Sequence, residues 1–178
     1  MRIVSGELKG RIFKSPKGFA THPMGDKVRT AVFDTLGDIS GLNILDAFGG
    51  SGALSFEAIS RGAKQATILE DNRQAANVIK ENISSLGLEK KVELLTVNAK
   101  TWSNQHPDQK FDIVLCDPPY NHIQENLIEK LIEHSIVNCV GVLSLPLHAD
   151  IRFPKERFEI ISQKTFGNAR LVFYRKIA

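Results

Sequence analysis

From residue 42 onward the chain repeats one unit: a short apolar run, a glycine-rich or acidic turn, then a stretch with helical spacing. Leu42 to Asp46, Ala66 to Glu70, Val92 to Val97 and Phe111 to Cys116 read as strands, and the most apolar of them have no face left for water. Between them, helical spacing runs from about Ala53 to Arg61 with Gly62 as its stop, and over residues 72–86 with Gly87 closing it. In the second of these, Ala75, Ala76, Ile79 and Ile83 share one face; a further helix from Gln124 to Ser135 carries Leu127, Ile128, Leu131 and Ile132. Parallel strands need crossover helices, and amphipathic helices need a surface on which to bury their stripe. The alternation therefore predicts an α/β fold, a parallel sheet covered by helices on both sides. Beyond Cys139 the rhythm changes. Val140 to Leu145, Phe158 to Ser162 and Arg170 to Tyr174 are strand-like, with too little chain between the last two for a crossover helix, so the final pair is predicted to be antiparallel.

Two pieces precede this region. Arg2 to Val4 and Arg11 to Phe13 flank Gly6 and Gly10 and suggest a small basic hairpin, and Asp26 is placed to cap a helix whose Val28, Ala31, Val32, Thr35 and Leu36 face the core. Residues 15–25, with Pro16, Gly18, Pro23 and Gly25, suit a loop. The reading is one domain over residues 1–178, with residues 1–25 as a basic extension.

Composition limits the classes of function. The chain has 178 residues, 42% apolar and 24% charged, with a net charge of +3, which fits neither a disordered chain nor a polycation. Its charge is unevenly spread: residues 1–29 carry +5, residues 30–149 carry −6 and residues 150–178 carry +4. Basic ends around an acidic middle suit a polyanionic partner met by the ends. Cys116 and Cys139 lie far apart without metal-ligand spacing, and His22, His106, His122, His134 and His148 show none either, so no metal is expected. The two thiols and Trp102 read as packing residues. Residues 1–6 lack the apolar stretch of a signal peptide and no run is long enough to span a membrane, so the expected location is cytoplasmic.

Two motifs carry chemistry. Asp46-Ala47-Phe48-Gly49-Gly50-Ser51-Gly52 follows the first strand of the repeat. Its glycines let main chain pass close to a ligand, and the amides opening the next helix can hold a carboxylate or phosphate. Glu70, at the end of the second strand, is placed to accept both hydroxyls of a ribose. An adenosine-containing cofactor is implied. A dinucleotide fingerprint starting at Gly50 meets Ser55 at its third position, and the chain has no Gly-Lys pair for a P-loop. A mononucleoside cofactor such as S-adenosylmethionine fits, with its amino-acid portion near Asp46 to Gly52 and its ribose on Glu70. The second motif, Asp117-Pro118-Pro119-Tyr120, directly follows the strand ending at Cys116. An exocyclic base amine is a poor nucleophile because its lone pair is delocalised into the ring. Asp117 and the Pro118 carbonyl can accept its two N–H groups and aim the lone pair at a methyl donor, the two prolines can hold that carbonyl in place, and Tyr120 offers a face for an extruded base.

These motifs resemble the class I S-adenosylmethionine-dependent methyltransferases, and Asp-Pro-Pro-Tyr resembles their amino-methyltransferase branch. Met1 to Gly6 with Lys9-Gly10-Arg11, then Pro23, Asp26-Lys27-Val28-Arg29, Phe33, Ser60-Arg61-Gly62-Ala63 and, more weakly, Phe166-Gly167 resemble the RsmD-like family of 16S rRNA guanine-N2 methyltransferases. The resemblance implies a Rossmann-like sheet of seven strands with a reversed last strand, S-adenosylmethionine as donor, and a guanine amine of small-subunit rRNA as acceptor. Carried over by position, it implies cofactor contacts at Asp46, Phe48, Gly49, Gly50, Ser51, Gly52, Glu70, Asp71, Asn98 and Ala99. It implies guanine contacts at Asp117, Pro118, Pro119 and Tyr120, and rRNA contacts at Arg2, Lys9, Arg11, Lys14 and Lys17. The chain departs from the family where His22-Pro23-Met24 replaces Arg-Pro-Thr, where Asn98 and Asn72 replace acids, and at Pro146, where Glu is common. Three alternatives stay open: a DNA amino-methyltransferase acting on adenine N6 or cytosine N4, a protein-glutamine methyltransferase, and an rRNA-binding assembly factor that keeps the fold without turnover.

Overall fold

A computed structural model describes residues 1–16, 24–121, 123–149, 151 and 153–178. Strands β1 (Asn43–Asp46), β2 (Gln65–Leu69), β3 (Val92–Leu95), β4 (Ile113–Cys116), β5 (Val140–Pro146), β6 (Phe158–Phe166) and β7 (Ala169–Lys176) form one seven-stranded sheet in the order β3-β2-β1-β4-β5-β7-β6. The first five strands run parallel, while β7 pairs antiparallel with both β5 and β6. This is the fold class expected, including the reversed last strand.

The two-sided apolar strands explain the layers. Ile44, Ile68, Ile113, Leu115, Leu171 and Phe173 point into one core, while their neighbours Leu45, Leu69, Val114, Cys116, Val172 and Tyr174 point into the other. The first core is closed by α1 (Asp26–Leu36), α2 (Ala53–Ser60) and α3 (Arg73–Leu86), and the second by α4 (Ala99–Gln105) and α5 (Glu125–Ile132).

Several element ends differ from expectation. Asp26 does not cap α1: Gly25 is the N-cap, and Asp26 is the first helical residue, its carboxylate on Arg2 and Arg29. The buried residues of α1 are Arg29, Val32 and Phe33, so a charged side chain sits where an apolar stripe was expected. Helix α4 was not expected, because in its seven residues only Ala99, Trp102 and Ser103 are buried, too few for a periodic signal. Trp102 and Cys116 lie in the core as expected, and Cys139 is half-buried.

Residues 1–13 form a hairpin held by the Arg2–Ile12 bridge and by hydrogen bonds between Ile3 and Arg11 and between Phe13 and Met1. It covers α2, a helix buried along its whole length. A helix buried all round must satisfy its polar side chains internally. Ser55 bonds Asp46, Ser60 bonds Ser5 and Leu8, and Glu57 accepts from the amides of Val4 and Ser5 at 2.8 and 3.0 Å and from Arg61 at 3.0 Å. Arg29 Nε lies 3.5 Å from Glu57, both side chains fully buried. Many residues that carry the family resemblance, from Val4 to Gly6, Arg29, Ser60 and Arg61, thus belong to the seam between the hairpin and α2.

Candidate active site

The sheet order turns at β1, which has β2 on one side and β4 on the other. The chain leaves β1 toward one face and β4 toward the other, so a crevice opens at their C-terminal ends, the usual ligand position in such sheets. Asp46 at the end of β1 is in register with Leu115 on β4, two residues before Asp117. The two motifs, which begin 71 residues apart in the chain, are therefore brought together by strand pairing.

They share a cavity of about 460 Å³. On its wall stand Phe48, Gly49, Gly50 and Ser51 from the loop after β1, Glu70 and Asp71 after β2, Asn98 and Ala99 at the start of α4, and Asp117, Pro118 and Pro119 after β4. Three expected residues are not on the wall. Asp46 is buried beneath the loop, Gly52 is the left-handed N-cap of α2 with φ of 79°, and Tyr120 directs its hydroxyl to Ser144 Oγ on β5 at 2.6 Å. The wall also includes Met24, one of the family departures and placed by the resemblance near the cofactor, and residues not expected from sequence: Ser15 and Pro16 after the hairpin, and Val97, Leu127 and Ile128, which give it an apolar side. The apolar residues of α5 were legible as a helix stripe, but nothing in their spacing separates cavity lining from core.

The polar groups suit a zwitterionic nucleoside. Gly52 supplies no side-chain cap, so the first amides of α2 are open beside Ala53 and Leu54 on the cavity wall, where a carboxylate is favoured. Gly49 cannot carry a side chain, because a Cβ there would overlap Ile68 on β2. Glu70 accepts the Gly50 amide at 2.7 Å on one oxygen and the Asn72 amide at 2.8 Å on the other, and each oxygen keeps a lone pair for a further donor. Asn72 and Asn98, which stand where the family has acids, both cap helices: Asn72 accepts from the amides of Gln74 and Ala75 in α3, and Asn98 accepts from Lys100 in α4. Asn98 also donates to Asp71 at 2.9 Å, which orients its amide.

Three carboxyls meet here with no basic partner beside them among the described residues, and all are pushed up. Burial raises Asp46 to about 7, with Ser55 lowering it and the charges of Asp117 and Glu70 raising it further. Its second oxygen has no hydrogen-bond partner among the described residues. Burial raises Asp117 to about 6 against a lowering contribution from the Ser144 hydroxyl. Glu70 is also raised by burial, with the Asn72 and Gly50 amides opposing. A carboxyl with a pKa near 6 is mostly ionised at neutral pH yet basic enough to hold a proton in passing.

The basic residues expected to meet rRNA are distributed differently. The hairpin tip reaches the C-terminal ends of two helices: Glu7 and Leu8 bond Ser60 of α2, and Arg11 donates to the Ser85 carbonyl of α3. Since both helices begin at the cavity end, Lys9 and Arg11 lie toward the opposite end of the strands. Arg2 pairs with Asp26 and Lys14 with Glu81, both on the surface. At the cavity end stand Arg73 and Lys100, basic residues not expected there from sequence, exposed in the first turns of α3 and α4. Lys17, His22, Pro23 and His122 lie outside the described residues. No helix among the described residues is long and apolar enough to cross a membrane.

Known proteins share this architecture. The ribosomal RNA small subunit methyltransferase D of Haemophilus influenzae is 31% identical over 180 residues, spanning 98% of this chain and 92% of that one. A proposed rRNA methyltransferase of Bacillus subtilis is 28% identical over 182 residues, with 99% of each chain covered. A solved structure of a proposed Escherichia coli methyltransferase superposes with a TM-score of 0.86 at 26% identity, over 100% of this chain and 98% of that one. With residues 1–175 matching the family described as conserved hypothetical protein 95, the chain belongs to that family, the RsmD-like family its motifs resemble.

Proposed function

We propose that this protein is an S-adenosylmethionine-dependent methyltransferase that modifies the exocyclic N2 amine of a guanine in 16S rRNA. The observation that carries the reading is the shared cavity: the Asp117-Pro118-Pro119 corner closes the same space as the glycine loop and Glu70. The loop from Phe48 to Gly52 and the open amides of α2 would hold the amino-acid end of the cofactor, with Asp46 beneath them. Glu70 would hold the ribose, and Asn98, with Asp71 and Ala99, the base. Bound there, S-adenosylmethionine supplies an electrophilic methyl group on a positively charged sulfur.

The chain's own residues do the rest. Asp117 and the Pro118 carbonyl accept the two N–H groups of the amine, which turns its lone pair out of conjugation and toward the methyl donor. Fixed φ angles at Pro118 and Pro119 hold the carbonyl in that position, so the orientation is set before the base arrives. As the amine nitrogen becomes bonded to carbon it gains positive charge, and the Asp117 carboxylate beside it takes the surplus proton. The names of the Haemophilus and Bacillus relatives support rRNA as the acceptor.

The test is single-turnover transfer of labelled methyl from S-adenosylmethionine to 16S rRNA or small-subunit particles, followed by nucleotide mapping. Label on guanine N2 is expected. Asp117→Ala should slow transfer by at least about a hundredfold while leaving cofactor binding near wild type. Cofactor binding without transfer to any guanine, or full activity in Asp117→Ala, would overturn the reading. Transfer to duplex DNA instead would favour the DNA amino-methyltransferase.

A further inference from the structure

Ser144 is a polar residue in an otherwise apolar part of β5, between Leu143 and Leu145, and is 2% exposed. A hydroxyl at such a site needs a partner. Strand register decides which partners are in reach. Leu115 pairs with Val142 and Cys116 with Leu143, so the next residue of the chain, Asp117, leaves the sheet beside Ser144. The Ser144 hydroxyl lies 2.6 Å from the Tyr120 hydroxyl, and its position opposite Asp117 lets it favour the ionised carboxyl. It therefore stands between the first and last residues of the Asp-Pro-Pro-Tyr corner.

Proton counting gives this link a direction. Ionised Asp117 can only accept, while Ser144 has one proton to give and two lone pairs. A hydrogen bond between the two can then run only from the Ser144 hydroxyl to the carboxylate, and in that arrangement the Ser144 oxygen accepts from Tyr120. We propose that Ser144 is a positioning residue for methyl transfer: by donating to Asp117 while accepting from Tyr120, it fixes the carboxylate and the phenol as one unit. The inference rests on the reading of Asp117 as the group that grips the amine. One carboxylate oxygen is held toward β5, the other is left for the substrate, and the phenol is prevented from swinging away from the corner. The prolines fix the main chain between these two side chains; Ser144 fixes the side chains themselves.

Among the described residues the titratable groups that face Asp117 are Asp46 from β1, Cys116 from β4 and Tyr120 from the following turn, none of which brings positive charge. Of these described neighbours, it is the Ser144 hydroxyl that favours the ionised form. Ser144→Ala should slow single-turnover transfer on the order of tenfold to a hundredfold. It should also move the acidic limb of the rate profile to higher pH, with cofactor affinity unchanged. Ser144→Thr, which keeps the hydroxyl, should restore both. Tyr120→Phe, which removes the upstream donor alone, should slow transfer with a smaller movement of the limb.

The measurement is transfer to small-subunit rRNA across pH 5–9 with the full chain and all three variants. A wild-type rate in Ser144→Ala overturns the proposal while leaving the methyltransferase reading intact. A slower Ser144→Ala with an unmoved limb, or a Ser144→Thr that rescues neither property, assigns the residue to packing and overturns it as well. No transfer by the wild-type protein overturns both readings together.

Discussion

Gly6 has a φ of +81°, and a Cβ built on it would overlap the main-chain carbonyl of Ser60 at the end of α2. Gly10, across the same turn, has a φ of +83° but open space around its Cα. The pair separates two costs that usually come together. At Gly10 alanine meets only the unfavourable left-handed conformation, so Gly10→Ala should cost about 1 kcal/mol. At Gly6 the same strain is joined by an overlap with main chain that cannot rotate away, and Gly6→Ala should cost about 3 kcal/mol or more. Urea unfolding of the two variants checks this, and equal midpoints would show that the hairpin does not sit tightly on Ser60.

The contact that Gly6 permits is one edge of a larger seam between elements. Glu57 receives the amides of Val4 and Ser5 and the side chain of Arg61, with Arg29 beside it, and the Glu57 and Arg29 side chains are fully buried. Removing one member of a buried ionic group leaves the others desolvated and unpaired, which costs on the order of 3–5 kcal/mol. Glu57→Ala should lower stability by about that amount, and hydrogen exchange should show the Val4 and Ser5 amides losing protection before the sheet does. Uniform loss of protection would mean that the hairpin is part of the global unit rather than a layer clamped to α2. The same seam shows where sequence reading stops. Strands such as β4 are legible because every residue from Ile113 to Cys116 is apolar, and the two loops are legible because Gly and Pro have few other uses there. Glu57 on its helix looks like any solvent-facing carboxylate, since its burial is caused by residues fifty positions earlier. Arg29 is hidden for the same reason. In the site, Asp117 and Glu70 could be chosen from their place at strand ends, but the bond from Tyr120 to Ser144 depends on the β4–β5 register, which no local pattern states. Asn98 could be matched to a family position, yet its service as the cap of α4 follows only once α4 exists.

Across the whole molecule the net positive charge is carried toward the chain ends, while the crevice at the sheet's turning point gathers acids. This arrangement has a thermodynamic signature. Asp46 and Asp117 titrate near 7 and 6 in the folded protein, against 3.8 when unperturbed, and Glu70 is also raised. Between those limits the native state binds more protons than the unfolded chain, so stability falls as pH rises. Surface acids act the other way: Asp26, held low chiefly by its hydrogen bond to Arg2, contributes stability above the ordinary aspartate range that is lost as pH falls through its lowered pKa. The two trends meet at the ordinary aspartate value of 3.8, so the stability of the ligand-free protein is greatest near there and declines toward neutrality because of the crevice. Asp46→Asn keeps the shape and removes the titration with the largest rise. Thermal unfolding from pH 4.5 to 8 should show the wild-type midpoint dropping through this range and the Asp46→Asn midpoint dropping less. A wild-type midpoint that instead rises from pH 5 to 7, with Asp46→Asn following it, would mean that the crevice carboxyls are solvated or paired in solution. The upward shift of Asp117, which lets it hold a proton in passing, would then lose its physical cause.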